Sequence, residues 1–273
     1  MRTTEADAGT VVVKYGGAAM KDAGLSETLM RDLVALQARG ARVVLVHGGG
    51  AAVTEIGRRL GLEARFVDGL RVTDPETMRV AQRVQVGEIG RGIVAAIGRA
   101  GGRALGLSGH DLGGWLRGAR RQHIHRQTGE PVDLGRVGDI CAVDAAALSA
   151  VLDQGWIPVV APVAVDADFE ALNVNADSVA TAVAAALQAD RLVLLTDVDG
   201  VRGADGQPAR AVSADTLRAW IASGVVSGGM IPKAEGCLDA LAGGVGAVSI
   251  ADGRVPHALL GAFSASGGTE VHP

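Results

Sequence analysis

An apolar strand that ends in glycines occurs twice in the first fifty residues of the chain. The run Val11-Val12-Val13-Lys14-Tyr15-Gly16-Gly17 is the first, and Arg42-Val43-Val44-Leu45-Val46 leads in the same way into His47-Gly48-Gly49-Gly50. Buried strands followed by glycine turns and helices are typical of a doubly wound α/β fold, in which ligands bind at the carboxyl ends of the strands. The pattern therefore predicts an α/β chain with one anion-binding crevice where the two glycine turns meet.

The composition favours the same fold. Of the 273 residues, 48% are hydrophobic but only 3% are aromatic, so Val, Leu, Ile and Ala must build the core. Such a core suits a parallel sheet covered by alanine-rich helices. Helices are expected over 26–39, with Ser26 as N-cap and Gly40 as the stop, and over 51–60, 75–99, 145–154 and 179–188. Further strands are expected over 156–163 and 191–196.

The charge and the cysteines argue against several classes of protein. The net charge of −4 disfavours a nucleic-acid partner, which needs a basic face. Cys141 and Cys237 are too few and too far apart for a secreted disulfide framework or a zinc site. The first ten residues lack the apolar segment of a signal peptide, and no uncharged apolar run reaches membrane-spanning length. We expect a cytoplasmic protein that binds a small ligand, with neither nucleic acid nor a membrane as partner.

The glycine turns leave two interpretations open. They match neither the Gly-X-Gly-X-X-Gly dinucleotide motif nor the P-loop. Lys14 beside Gly16 and Gly17 would suit a bound phosphate, but the same residues would also form a turn with a solvated lysine. His47 is either a base or ligand, or a hydrogen-bonded structural group.

Two later stretches place polar groups where an anion would meet them. Arg71 lies between two apolar residues, as a surface charge or as a guanidinium presented to a carboxylate. The run Asn173-Val174-Asn175-Ala176-Asp177 directly precedes an alanine-rich helix. A helix cap needs only one such side chain, so three at alternate positions indicate a binding site as well.

A second lysine beside glycines lies near the end of the chain, in Ser227-Gly228-Gly229-Met230-Ile231-Pro232-Lys233. Two lysines at a polar crevice are what phosphoryl transfer needs, because its transition state spreads negative charge over the phosphoryl oxygens. Between 105 and 140 the sequence predicts a basic loop with a solvated hairpin at His123 and His125; the alternative for this His-X-His pair is a metal site.

Five motifs, in order from about residue 11 to 270, resemble those of the N-acetylglutamate kinases in the amino-acid kinase superfamily. The motifs are Lys14-Tyr15-Gly16-Gly17, His47-Gly48-Gly49-Gly50, Gly69-Leu70-Arg71-Val72-Thr73-Asp74, Asn173-Val174-Asn175-Ala176-Asp177 and Gly228-Gly229-Met230-Ile231-Pro232-Lys233. The resemblance implies a three-layer αβα sandwich with an open, mainly parallel sheet. Residues 1–273 would form one domain with two lobes, 11–165 for the acyl-amino acid and dimerisation and 166–270 for ATP.

The resemblance also implies the reaction and its residues. A homodimer would move the γ-phosphate of MgATP to the side-chain carboxylate of N-acetyl-L-glutamate, in arginine biosynthesis. Lys14 and Lys233 would stabilise the transferring phosphoryl group, and Asp177 would hold both lysines. The substrate would be bound by Gly49, Gly50, Arg71 and Asn173. The nucleotide would be bound by Gly16, Gly17, Asp197, Val198, Asp199, Gly200, Val201, Arg202, Val225, Val226 and Ser227. No protein side chain would ligate the metal, since the ATP phosphates would hold Mg²⁺.

Departures from the family pattern bear on regulation and leave alternatives. Ala51 stands where the family usually has proline, and Gly90 where it commonly has asparagine. Arginine-inhibited members carry an N-terminal helix and a C-terminal glutamate; about ten residues precede the first strand here, and the segment 259–263 lacks that glutamate. We therefore expect a homodimer that arginine does not inhibit strongly. The alternatives are a kinase for a carrier-protein-linked glutamate or aminoadipate, and a non-catalytic small-molecule-binding regulatory subunit.

Overall fold

The computed structural model describes residues 9–17, 20, 22–264 and 267–273. The strands are β1 (Thr10–Tyr15), β2 (Arg42–His47), β3 (Phe66–Val67), β4 (Leu70–Arg71), β5 (Ala104–Leu107), β6 (Leu116–Arg120), β7 (His123–Ile124), β8 (Pro131–Val132), β9 (Gly138–Val143), β10 (Ile157–Val160), β11 (Val163–Val165), β12 (Ala171–Asn173), β13 (Arg191–Thr196), β14 (Ala211–Ser213), β15 (Ala247–Asp252) and β16 (Thr269–His272). The helices are α1 (Ala23–Ala38), α2 (Gly50–Arg59), α3 (Pro75–Gln82), α4 (Arg91–Arg99), α5 (Ala145–Asp153), α6 (Ala176–Ala186), α7 (Ala214–Ala222), α8 (Ile231–Ala242) and α9 (Ala258–Gly261).

An eight-stranded main sheet has the order β14-β16-β15-β13-β1-β2-β10-β5. Every neighbouring pair in it is parallel except β15 with β16. Strand β1, which carries the first glycine motif, lies in the interior of the sheet between β13 and β2. The expected mainly parallel sheet is confirmed.

Helices cover both faces of the main sheet. Val11 and Val13 face a core cluster shared with α1, α4 and α9, whereas Val12 faces the opposite cluster, shared with α5, α6 and α8. This alternation follows from the two-residue period of a strand and produces a three-layer sandwich. Lys14 belongs to the same face as Val12, so its side chain points toward the layer that contains α6.

The predicted helices are confirmed, although α1 and α6 each begin three residues earlier than expected, at Ala23 and Ala176, and one segment between α3 and α4 is unexpected. Helix α1 begins at Ala23, because the Asp22 carboxylate accepts the Leu25 N–H at 2.9 Å, so Asp22 and not Ser26 is the N-cap. The expected helix over 75–99 is continuous, but a π-helix over Arg83–Gly90 joins α3 to α4. No helix in the described part of the chain is both long and apolar enough to cross a bilayer.

The expected basic loop between 105 and 140 is largely wrong. This region contributes β5 to the main sheet and β6 and β9 to a second, four-stranded sheet of order β12-β11-β6-β9. Arg117 and Arg120 interrupt the apolar pattern of β6, and Asp139 interrupts that of β9, so the strand pattern is hidden. The hairpin at His123 does exist, as β7 and β8. His123 is nonetheless mostly buried, and within the described residues no group of three His, Cys, Asp or Glu side chains is arranged to hold a metal ion.

Candidate active site

A cavity of about 750 Å³ opens at the carboxyl ends of β1 and β2. Tyr15 is paired with His47 in the register of these strands, and the Gly48 N–H donates to the Tyr15 carbonyl at 2.8 Å. The two glycine turns therefore meet, as the sequence predicts. We call this cavity the central crevice. The predicted site residues that line it are Lys14, Gly16, Gly17, Gly49, Gly50, Arg71, Asn173, Asp177 and Asp197.

Asp177 lies between the two lysines at one wall of the central crevice. Its Oδ1 is 2.8 Å from Lys14 Nζ, and its Oδ2 is 3.6 Å from Lys233 Nζ. Asp177 sits in the first turn of α6, which Asn175 caps, and α6 covers the face of the sheet toward which Lys14 points. Lys233 lies in the first turn of α8, which packs against α6. The helix dipole opposes a cation at that position, so the Asp177 carboxylate offsets an unfavourable placement.

The charge of this lysine–aspartate–lysine cluster is positive. Burial alone would raise the pKa of Asp177, but the ammonium groups of Lys14 and Lys233 prevail and hold it below its usual value. The carboxylate is therefore ionised at neutral pH, and the cluster keeps one net positive charge. Burial, assisted by the Asp177 charge, raises the pKa of the neighbouring Cys237 to about 12, which keeps that thiol protonated.

Lysine is rare in this chain. The chain has three, among 26 basic residues. Lys14 and Lys233 are both in the cluster, and Lys21 lies outside the described residues. Arginine supplies the cations elsewhere. A compact ammonium on a flexible stem can move between a carboxylate and a bound anion, so its use here fits a ligand that changes during turnover.

The second glycine turn, His47-Gly48-Gly49-Gly50, presents backbone N–H donors to the central crevice. Gly49 is the N-cap of α2 and supplies no side-chain cap. Within the described residues, the N–H groups of Gly49 and Gly50 form no hydrogen bond. A Cβ at Gly49 would lie 2.8 Å from Ile89 Cδ1 and 3.1 Å from Gln85 Cγ, so a larger residue here would require these side chains to shift. Ala51 is the second residue of α2, where proline would fit equally well, and the helix starts without it.

Arg71 projects from the β3–β4 hairpin over the start of α2. Its Nη2 donates to the Gly50 carbonyl at 2.8 Å and to Thr54 Oγ1 at 2.6 Å, and its guanidinium lies 4.8 Å from the centre of the Phe66 ring. Burial lowers the pKa of Arg71, but a guanidinium remains charged at any physiological pH. Across the crevice, Asn173 Nδ2 donates to Thr73 Oγ1 at 3.1 Å.

The β3–β4 hairpin, which carries Arg71, is held against the β7–β8 hairpin by a contact that no sequence motif indicates. Asp68 and Gly69 form its turn with φ of 48° and 82°, as an Asp-Gly turn requires. Asp68 Oδ2 accepts from His123 Nε2 at 2.8 Å and from the Arg126 N–H at 2.9 Å. His123 therefore has a carboxylate partner, 55 residues away in sequence, where a solvated hairpin was expected.

The remaining predicted nucleotide positions lie outside the central crevice. Asp199 pairs with Arg202 at 3.0 Å and lines a second cavity of about 570 Å³, beside residues 251–264 and 267–268. Val201 is fully buried, and its N–H donates to Thr269 Oγ1 at 2.8 Å. Val226 is buried as well, whereas Ser227 is exposed before the turn that opens α8.

Gln85 lines the central crevice although nothing in the sequence analysis selected it. It lies in the π-helix beside the Gly49 turn and is 5% exposed. Its Oε1 is buried without a hydrogen-bond partner among the described residues. The sequence does contain one signal for this residue, because a polar glutamine stands between two valines, Val84 and Val86, in a segment that was expected to be helical. π-helical segments are frequent at functional sites, because the extra residue changes the direction of a side chain.

Comparisons with known proteins agree with this geometry. The chain matches the amino acid kinase family over residues 9–252. Acetylglutamate kinase of Symbiobacterium thermophilum is 51% identical to it over 254 residues, which cover 92% of this chain and 86% of that protein. Acetylglutamate kinase of Moorella thermoacetica is 47% identical over 272 residues, which cover 97% of this chain and 91% of that protein.

Two solved structures have the same fold. N-acetylglutamate synthase from Neisseria gonorrhoeae, complexed with coenzyme A and N-acetyl-glutamate, matches with a TM-score of 0.83 at 27% identity, covering 97% of this chain. This chain spans 59% of the length of that synthase chain. Carbamate kinase from Giardia lamblia bound to AMP-PNP matches with a TM-score of 0.74, covering 98% of this chain and 99% of that chain; at 16% identity this likeness concerns the fold alone.

Proposed function

The chain belongs to the amino acid kinase family, and from this premise we propose that it is an acetylglutamate kinase. The enzyme transfers the γ-phosphate of ATP to the side-chain carboxylate of N-acetyl-L-glutamate, in arginine biosynthesis. The observation that carries the proposal is the lysine–aspartate–lysine cluster: its Lys14 and Asp177 line the same crevice as Gly49 and Gly50, whose N–H groups have no hydrogen bond within the described residues.

The reaction brings two anions together, so the protein must supply positive charge. In our proposal Lys14 and Lys233 stabilise the phosphoryl oxygens during transfer, and Asp177 keeps both ammonium groups at the crevice while it is empty. The transition state of phosphoryl transfer is loose, so positioned cations and N–H donors supply most of the catalysis. The acceptor carboxylate is already ionised at neutral pH, and no general base is required. A neutral, buried His47 and a protonated Cys237 are compatible with this chemistry.

We assign the acyl-amino acid to the part of the crevice under the β3–β4 hairpin. Arg71 Nη2 is engaged by Gly50 and Thr54, whereas its Nε and Nη1 have no bond to a described residue. These two N–H groups lie on different edges of the guanidinium, so each can give the α-carboxylate a single charge-assisted hydrogen bond. Asn173 assists from the opposite wall, and the N–H groups of Gly49 and Gly50 receive the reacting carboxylate and the phosphoryl oxygens.

We assign the nucleotide to the glycines of the first turn and to the residues after β13 and α7. Those positions are Gly16, Gly17, Asp197, Val198, Asp199, Gly200, Val201, Arg202, Val225, Val226 and Ser227. Magnesium enters as part of the MgATP substrate, since this ion usually keeps most of its bonds to phosphates and water. A homodimer, a cytoplasmic location and two lobes over 11–165 and 166–270 complete the proposal, on the strength of the family resemblance.

Hydroxamate formation tests the reaction. Purified protein with ATP, magnesium and hydroxylamine should trap an acyl phosphate from N-acetylglutamate, and should do so far less with glutamate or aspartate. Activity only with a carrier-bound glutamate or aminoadipate would replace the proposal with the carrier-linked alternative. No ATP turnover with any of these acceptors would favour a non-catalytic binding subunit.

A further inference from the structure

We infer that His47 is a positioning residue for phosphoryl transfer, because its ring fixes the peptide that aims the Gly49 N–H into the central crevice. The inference rests on the proposed function, in which that N–H group receives the acceptor carboxylate and the phosphoryl oxygens.

The tautomer of His47 follows from its one hydrogen bond. Nδ1 lies 2.8 Å from the Gly48 carbonyl oxygen. A carbonyl oxygen only accepts, so Nδ1 carries the proton and Nε2 keeps a lone pair. The ring is fully buried, and Nε2 has no partner among the described residues. Burial lowers the pKa of His47, so the ring remains neutral and has no route by which to move a substrate proton.

Both polar groups of Gly48 are held by neighbours. The Gly48 N–H donates to the Tyr15 carbonyl at 2.8 Å, and the Gly48 carbonyl accepts from His47 Nδ1. The described peptide bonds are all trans, so the Gly49 N–H points away from the Gly48 carbonyl. Because that carbonyl is directed at a buried ring, the Gly49 N–H is directed the other way, toward the crevice that Gly49 lines.

This restraint matters because the turn consists of glycines. Glycine has the widest conformational freedom, and without His47 the peptide between Gly48 and Gly49 would be free to rotate. A donor that must be within about 0.5 Å of its productive position loses much of its catalytic effect when it rotates. Gly90 lies beside the ring, and a Cβ there would make an ordinary contact of 3.5 Å with His47 Nε2.

Two substitutions separate positioning from packing. In His47→Asn the amide nitrogen occupies the place of Nδ1 and keeps the donor, but the smaller side chain leaves a cavity. In His47→Gln the size of the side chain is better preserved, but the amide nitrogen occupies the place of Nε2 and the Gly48 carbonyl loses its donor. If His47 only filled space, His47→Asn would be the worse enzyme.

We expect the opposite order in kcat. His47→Asn should lose thermal stability but keep kcat within about threefold of the wild type, whereas His47→Gln should lose about 10²-fold in kcat with little change in the KM for N-acetylglutamate. Equilibrium binding of ADP with aluminium fluoride and N-acetylglutamate, a mimic of the transition state, should weaken in His47→Gln only, and binding of ADP alone should be unchanged in both.

Two other outcomes have different meanings. A wild-type protein that does not phosphorylate N-acetylglutamate would overturn the proposed function and this inference with it. An active wild type in which His47→Gln keeps its kcat, or in which kcat follows thermal stability across the two variants, would overturn the inference alone.

Discussion

Lys14 and Lys233 share one carboxylate, so the loss of either leaves Asp177 with the other as partner. We therefore expect Lys14→Ala and Lys233→Ala to remain folded but to lose about 10²- to 10³-fold in kcat, which is the usual effect of removing one preorganised group that stabilises transition-state charge. The hydroxamate assay measures the loss, and circular dichroism checks the fold.

Arg42→Ala is a matched control for these two variants. Arg42 lies at the opposite end of β2 and is paired with Asp153 at 2.9 Å. Its removal also breaks a pair between a cation and an aspartate, but it should leave kcat unchanged. Equal losses in kcat for Arg42→Ala and Lys14→Ala would mean that the lysines contribute stability and not catalysis.

Gln85 places a buried amide oxygen beside the crevice, and this oxygen has no hydrogen-bond partner in the part of the chain that the structure describes. An unsatisfied buried polar group costs about 1–3 kcal/mol, and leucine has a similar size and helix propensity. We expect Gln85→Leu to raise the free energy of unfolding of the ligand-free protein by about 1 kcal/mol in urea titrations. A lower stability would show that the amide has a favourable interaction in solution.

Single residues of the site were predictable to different degrees. Lys14, Asp177 and Lys233 stand in motifs whose spacing is visible in the sequence, and the structure brings them together. The orientation of His47 and the burial of Gln85 were not predictable, because both depend on the π-helix that packs against the Gly49 turn.

At the scale of elements, the β3–β4 hairpin positions Arg71 at the crevice. Asp68, in the turn of this hairpin, accepts hydrogen bonds from His123 and Arg126 and so connects it to the β7–β8 hairpin. We expect Asp68→Ala to raise the KM for N-acetylglutamate about five- to tenfold and to leave kcat nearly unchanged, because in the proposed site the hairpin binds the substrate and not the phosphoryl group. Asp68→Asn keeps one acceptor oxygen and tolerates a positive φ, so it should be close to the wild type. Steady-state kinetics distinguish the two, and an unchanged KM in Asp68→Ala would contradict a role for this contact.

Helix α1 is joined to the segment before α9 by a buried carboxylate. Asp32 Oδ1 accepts from His257 Nδ1 at 2.8 Å, and Oδ2 is buried without a partner among the described residues. Burial raises the pKa of Asp32, although His257, Arg31 and Arg39 oppose the shift. The folded state therefore binds the proton more tightly than the unfolded state, and this contribution to stability is lost as the pH rises through the pKa of the folded protein.

This coupling between proton binding at Asp32 and folding predicts how the free energy of unfolding depends on pH. Asp32→Asn removes the buried charge but still accepts the bond from His257. We expect this variant to be about 1 kcal/mol more stable than the wild type at pH 7.5. The difference should shrink as the pH falls, because the raised pKa lets Asp32 take up its proton in the folded protein before it does so in the unfolded chain. Urea titrations at several pH values measure it, and a difference that grows on acidification would refute the assigned direction.

Elements were predictable where burial gives a simple pattern. β1, β2 and β13 are buried on both faces and read as continuous apolar runs, so they were found. β6 and β9 carry Arg117, Arg120 and Asp139 on an exposed face and were missed. The bond between Asp68 and His123 joins two loops across 55 residues, which no local pattern reveals.

At the scale of the whole molecule, the two proposed lobes share one sheet. β1 pairs with β2 on one side and with β13 on the other, and one core cluster contains both Trp115 and Val248. We therefore expect a single cooperative unfolding transition. Variants that retain only Trp115 or only Trp220 report on opposite lobes, and their fluorescence should give the same urea midpoint. Two separate midpoints would show that the lobes unfold independently.

The near absence of lysine has a practical consequence for handling the protein. Reagents that attack primary amines find few targets on a chain with three lysines, and two of these lie at the crevice. Amine-directed labelling, cross-linking or immobilisation therefore has few attachment points here, and reaction at Lys14 or Lys233 would modify the proposed transfer site. Attachment through the exposed Cys141, with the buried Cys237 inert, leaves both of these lysines unmodified.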